Sequence, residues 1–150
     1  MLFRSLHHAH SFLATEHGLA VVSTTQADGG ISSSVVNCAV IDHPLTGLPC
    51  VAFVSTGRAA KLHHIRRGSK VTVLIRRGWK WVSVAGAADL IGPKDLPKDL
   101  DRESLRLLLR EVFSAAGGSH DDWDAYDRAM VEDARVAVFV AAERILGIAP

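Results

Sequence analysis

The chain has little of several things, and each shortage closes off a class of function. It lacks an excess of either charge: in 150 residues, 17 Lys and Arg against 16 Asp and Glu leave a formal net charge of +1. No overall field therefore argues for nucleic acid or a membrane surface as a partner. No run reaches the roughly 18 apolar residues of a membrane span. The opening Met1-Leu2-Phe3-Arg4-Ser5-Leu6-His7-His8 is too polar, and too soon interrupted by histidines, to serve as a secretion segment. Cysteine is nearly absent: Cys38 and Cys50 stand singly inside apolar runs, without CxxC spacing. They read as buried free thiols, and the expected compartment is the cytoplasm. Also missing are a GxSxG nucleophile elbow, a P-loop, a GxGxxG after a strand and an HExxH. Carboxylates are scattered rather than paired within apolar runs, so hydrolysis by an acid/base pair has no support. An enzyme of this composition leaves the hard chemistry to a bound cofactor and supplies orientation.

What is present is apolar content, 48% of the chain, enough for a sizeable core, and a length that fits one domain over residues 1–150. Ser5 is placed to cap a first helix carrying Leu6, Ala9, Phe12 and Leu13 on one side. From Leu19 to Leu90 the pattern changes to short β-branched runs separated by turn chemistry. Leu19–Thr25, Ile31–Ile41, Cys50–Ser55, Lys70–Arg77 and a long Trp79–Ile91 read as five strands, joined mostly by hairpins. Leu105, Leu108, Leu109, Val112 and Phe113 keep helical spacing, and Gly117-Gly118 stops that helix. A second helix, capped by Ser119 or Asp121, has Trp123, Tyr126, Met130 and Val131 on its apolar side. Val136–Val140 is then a sixth strand. The expected class is mostly β with helices (α+β): an antiparallel six-stranded sheet that curls and closes, with a helical insertion at about residues 101–133.

Positive charge is concentrated in one region, because eight of the 17 cations (Arg58, Lys61, Arg66, Arg67, Lys70, Arg76, Arg77, Lys80) fall between positions 58 and 80. The segment Ser55-Thr56-Gly57-Arg58-Ala59-Ala60-Lys61 follows a strand and places hydroxyls and cations near one point. It reads either as a phosphate site or as a solvated connector. Ser32, Ser33 and Ser34 oppose burial of their strand and mark a wet edge or a ligand. Asn37, among Val35, Val36, Cys38 and Ala39, needs hydrogen-bond partners from backbone or from a heterocycle such as a flavin ring. Trp79 and Trp81 share a face of their strand, as core, subunit interface or the wall of a pocket for a planar ligand. Arg76, Arg77 and Lys80 either keep the turn soluble or meet an anion shared with Arg58 and Lys61. His7, His8 and His10 lack a third ligand of fixed spacing and read as surface histidines.

The order of these parts resembles the split β-barrel family that includes pyridoxamine 5′-phosphate oxidase, and within it the actinobacterial branch of deazaflavin (coenzyme F420)-dependent oxidoreductases. The resemblance lies in Phe12-Leu13-Ala14, the hairpin at Asp28-Gly29, Arg58-Ala59-Ala60-Lys61-Leu62, Trp79 to Leu90, Asp122-Trp123-Asp124-Ala125-Tyr126, Ala129-Met130-Val131, Arg135 and Glu143-Arg144-Ile145. It departs at His63-His64, where Arg-Asn is common, and at Gly68-Ser69, where Asp-Pro is usual. The resemblance implies a six-stranded FMN-binding-type split barrel that dimerises, with two cofactor sites at the subunit interface. It places Arg58 and Lys61 on the cofactor's phosphate, and Ser33, Val35, Val36 and Asn37 against the ring; Ser55 and Thr56, the hydroxyls beside those cations, complete the expected cofactor site. Arg77, Trp79 and Trp81 would come from the partner subunit. The implied activity is hydride transfer from F420 to an electron-poor small organic substrate. Alternatives within the same fold are an FMN-dependent oxidase or flavin reductase, and a non-catalytic carrier of flavin, deazaflavin or haem.

Overall fold

The computed structural model describes residues 1–148. Nine strands and four helices follow in the order β1 (Leu2–Phe3), α1 (His7–Thr15), β2 (Leu19–Thr25), β3 (Ile31–Asp42), β4 (Pro49–Ser55), α2 (Ala60–Arg66), β5 (Val71–Arg77), β6 (Lys80–Gly86), β7 (Ala88–Ile91), α3 (Arg102–Ala115), α4 (Trp123–Glu132), β8 (Val136–Ala141) and β9 (Arg144–Ile148). All strand pairs are antiparallel, in the order β1-β9-β6-β5-β2-β3-β4-β8-β7.

Two strands belong to both halves of the sheet and make it a split barrel. The first part of β3, from Ile31 to Asn37, pairs with β2, whereas Cys38 to Asp42 pair with β4. The segment expected as one strand from Trp79 to Ile91 likewise divides. Its first part, β6, pairs with β5 and β9, and its second, β7, pairs with β8. At the break, the Ala87 carbonyl accepts from the Ala141 N–H at 2.9 Å. Gly86 permits the crossing, because a Cβ there would lie 2.0 Å from the Ala141 carbonyl oxygen. This division, together with the short strands β1 and β9, is why nine strands are found where six were expected. Ladder partners change where the backbone turns between half-sheets, and uniform apolar content through Val82, Val84, Ala85, Ala87 and Ala88 gives no sign of that.

Alternation sets the inner face. Val71, Val73 and Ile75 of β5 and Val82 and Val84 of β6 are fully buried, and α1 covers one end with Phe12 and Leu13. Strands β4 and β8 are buried on both faces, since their other side, with Ala52 and Phe139, lies under Leu105, Leu108, Leu109 and Val112 of α3. That second cover explains why Val136–Val140 is continuously apolar instead of alternating. His43 pins the turn after β3: Nδ1 accepts from the Leu45 and Thr46 N–H groups at 3.1 and 3.3 Å, and Nε2 lies 3.0 Å from Asp89.

The helical segment folds as a tied pair. The Asp101 side chain caps α3 by accepting from Ser104 N–H at 2.8 Å, and Asp122 caps α4 by accepting from Ala125 N–H at 3.0 Å. Asp127 of α4 receives Arg106 at 3.0 Å and the Arg110 Nε at 2.9 Å, both from α3. Three local expectations are corrected. Asp122, not Ser119 or Asp121, is the cap, because its carboxylate reaches the N–H three residues on. The N-cap of helix α1 is Leu6, without a side-chain cap, since Ser5 accepts from His7 N–H one position too early. Val131 is 79% exposed, because the α4 face with Tyr126 turns inward and carries Val131 away from α3.

The Tyr126 hydroxyl donates to the Leu109 carbonyl at 3.0 Å, joining the two helices. Burial pushes this phenol up to about 12, so it stays protonated and keeps donating this hydrogen bond at working pH. Tyr126→Phe should therefore destabilise the fold by about 1 kcal/mol. The check is a lower urea midpoint at unchanged slope; an unchanged midpoint would mean the bond contributes nothing net. Among the described residues, no helix is long and apolar enough to cross a membrane.

Candidate functional site

A cleft of about 530 Å³ opens where β3 and β4 part and α3 and α4 overhang them. Its floor is Val35, Val36 and Asn37 of β3 with Val54, Ser55 and Thr56 at the end of β4. Lys61 enters from α2, Val112, Phe113, Tyr126 and Met130 form the overhanging wall, and Arg135 stands just before β8. The volume is in the range of small-molecule sites, roughly 300–1,000 Å³.

Six of the eleven residues singled out from sequence line this cleft: Val35, Val36, Asn37, Ser55, Thr56 and Lys61. The open question about Asn37 resolves in part. Its Nδ2 donates to the His17 carbonyl at 2.9 Å, holding a turn in which His17 has a left-handed φ of 58°. Its Oδ1 accepts no hydrogen bond among the described residues. Buried Ser55 donates to its own neighbour, the Thr56 carbonyl, at 3.0 Å, so its hydroxyl retains only acceptor capacity toward the cleft. Lys61 is half-buried, and removal from water pushes its ammonium below the ordinary lysine range. It has no carboxylate partner among the described residues.

The other five lie elsewhere in the chain. Ser33 is on the outer face of the sheet, its hydroxyl 2.8 Å from that of Ser23. Arg58 is exposed and outside the cleft lining. The Arg77 guanidinium sits over the Phe12 ring, 4.7 Å from its centroid. Trp79 is 96% exposed in the β5–β6 turn, and with Trp81, Leu74 and Arg76 it forms a shallow apolar surface on the outer face. The divergent pair His63-His64 is split in role: His63 is exposed, whereas His64 is buried and shares a 2.8 Å hydrogen bond with Thr24. Ser69, at the other divergent position, accepts from Thr25 N–H at 2.9 Å. Both residues thus fasten α2 and its exit to β2, outside the cleft lining.

Sequence reasoning did not assign Phe113, Tyr126, Met130 or Arg135 to the site. The three side chains on α3 and α4 share the helical spacing of core residues, and periodicity cannot separate a core face from a cleft wall. The loop leaving β4 is drawn to the end of α4 by a hydrogen bond from Gly57 N–H to the Asp133 carbonyl, 3.0 Å. A Cβ on Gly57 would lie 2.4 Å from the Ala134 carbonyl oxygen, so only glycine fits this crossing.

The fold is a split β-barrel of the kind seen in solved pyridoxamine 5′-phosphate oxidase-related structures. A search with models of known protein families finds no match to the chain. Solved structures share the architecture at low identity. A conserved hypothetical protein from Mycobacterium tuberculosis has a TM-score of 0.68 at 19% identity, over 98% of this chain and 86% of that one. A pyridoxamine 5′-phosphate oxidase-related, FMN-binding protein from Nostoc punctiforme has a TM-score of 0.64 at 14% identity, over 97% and 84%. A protein described as an F420 reductase has a TM-score of 0.59 at 14% identity, over 85% and 88%.

Proposed function

We propose that this chain is an oxidoreductase that binds a flavin-type cofactor in the cleft, and that the cofactor is coenzyme F420, used to reduce an electron-poor small organic substrate. The observation that carries the reading is Lys61, a half-buried ammonium in a cleft whose lining contains no carboxylate. A cation held this way is destabilised until an anion meets it, and a phosphorylated cofactor brings one. The donor set also suits a planar heterocycle: Asn37 offers a free carbonyl oxygen, Thr56 a hydroxyl, and Val36, Phe113 and Met130 offer apolar walls.

When bound, the reduced deazaflavin supplies a hydride to the substrate. The chain's own contribution is placement. Lys61 holds the phosphate; Val35, Val36 and Asn37 support the ring from the strand; α3 and α4 exclude water from the opposite side. FMN in the same cleft is the second reading, favoured by the fold shared with the FMN-binding protein from Nostoc punctiforme.

The proposal extends to assembly as a homodimer. The outer face of the sheet leaves Val35, Leu74, Trp79 and Ile148 exposed, and Val35 belongs to both that face and the cleft. A second copy covering this face would bring its own Trp79 and Trp81 toward the site, whereas Arg77, held over the Phe12 ring, faces the other way.

The purified chain is to be titrated separately with F420, FMN and haem by absorbance and fluorescence quenching, then assayed for hydride transfer to quinones, enones and tetrapyrroles. Tight F420 binding with turnover is expected. Tight FMN binding without F420 affinity overturns the choice of cofactor, and binding without turnover on any acceptor makes the protein a carrier.

A further inference from the structure

Arg135 has no part in the reading above, although its position is tightly determined. Ser55 pairs with Val136 across β4 and β8, and the Gly57 N–H bond to the Asp133 carbonyl presses the turn after α4 onto the loop leaving β4. Between these two fixed points Arg135 opens on the same cleft as Ser55, Thr56 and Lys61. Its Nε and Nη2 lie 3.3 and 3.2 Å from the Asp133 Oδ2. The Nη1 group makes no hydrogen bond among the described residues, which leaves two N–H donors for a ligand. Among the described residues, Lys61 and Arg135 are the only Lys or Arg side chains lining this cleft.

We propose that Lys61 and Arg135 form one phosphate clamp, with Asp133 acting as the positioning residue that fixes the arginine fork. Lys61 serves as a point charge, and Arg135 supplies directed donors from the opposite side of the β4 exit. The exposed Arg58 contributes little. The proposal rests on the cofactor reading for the source of the phosphate, but the clamp's chemistry is that of any phosphate mono- or diester.

The test compares Arg135→Gln, Lys61→Gln and Arg58→Gln with the wild-type chain, each checked for folding by circular dichroism. The glutamine amide retains a hydrogen bond to Asp133 in the first variant. Matched ligands isolate the phosphate: FMN against riboflavin, and F420 against its phosphate-free deazaflavin chromophore. R135Q and K61Q should each weaken the phosphate-bearing member by at least about tenfold and leave the phosphate-free member within about twofold, whereas R58Q should change neither ratio. Equal losses for both members in R135Q, or none, overturn the clamp, because a purely structural role moves both alike.

The second arm is thermal unfolding of the ligand-free chain in rising inorganic phosphate, with ionic strength held by chloride. A rise in midpoint that R135Q and K61Q abolish supports the clamp even if no flavin or deazaflavin binds, and then only the cofactor reading fails. No rise, together with no preference for phosphate-bearing ligands, overturns the clamp itself.

Discussion

Lys61→Ala should weaken a phosphate-bearing cofactor by about 2 kcal/mol, roughly 30-fold, without harming the fold. The size follows from the environment. An exposed ammonium contributes at most about 1 kcal/mol to an ion pair, because water and salt compete for it. Lys61 is half-buried and lacks a carboxylate partner among the described residues, so the phosphate supplies a contact that water supplies poorly. Arg58→Ala, at an exposed position outside the cleft, should stay within about 1 kcal/mol. Equal losses in the two variants, measured by fluorescence titration, would place the anchor outside the cleft.

The same residue sets a pH dependence whose sign is fixed by the direction of its shift. Burial lowers the Lys61 value in the folded chain, while the unfolded chain keeps an ordinary lysine near 10.4, to about half a unit. Between the lowered value and the ordinary one, the unfolded state binds more protons, so the ligand-free chain gains stability as pH rises through that window. Phosphate binding runs the other way. It needs the ammonium, so affinity falls as pH passes the lowered value, before an ordinary surface lysine would titrate. In Lys61→Ala both dependences should flatten.

Alternating β-branched residues made most of the strands legible. Leu19–Thr25 coincides with β2, and Cys50–Ser55 lies within β4. In β2 the side-chain period and burial are the same fact, whereas β4 was legible as a short continuous apolar run, as a strand buried on both faces requires. The cleft floor was legible for the opposite reason: Asn37, Ser55 and Thr56 are polar residues where the strand pattern calls for apolar ones. Arg135 and the wall were not legible, because the contacts that build them are non-local. Gly57 meets Ala134 through backbone atoms, and a backbone crossing leaves no signature beyond an ordinary glycine in a loop. Arg58 shows the converse. Its spacing to Lys61 suggested a shared anion, but α2 begins at Ala60, which puts Lys61 in the helix facing the cleft and leaves Arg58 in the exposed turn before it.

Under the proposed homodimer, Leu74→Asp should turn the assembly into a monomer and impair cofactor binding in the same step. Outward-facing residues form a continuous row across five strands: Val35 opposes Val21, Val21 opposes Leu74, Leu74 opposes Ser83, and Ser83 opposes Leu146. Leu74, at the centre, is 40% exposed, and Val35, at the cleft end, is 66% exposed. Trp79, Trp81 and Ile148 enlarge the apolar surface at one side. An apolar sheet face of this kind is costly to leave in water, and in the homodimer proposed above a second copy would cover it isologously, with the same residues facing one another across a two-fold axis. A carboxylate at Leu74 then meets the interface twice, at a cost of about 3 kcal/mol or more for each uncompensated buried charge. Because Val35 belongs to the face and to the cleft, loss of the partner also opens the cofactor site. Sedimentation equilibrium should give twice the chain mass for wild type and the chain mass for the variant, with unchanged far-ultraviolet circular dichroism. A monomeric wild type that binds F420 fully would sink the interface-site arrangement, and a dimeric Leu74→Asp would move the interface to another face.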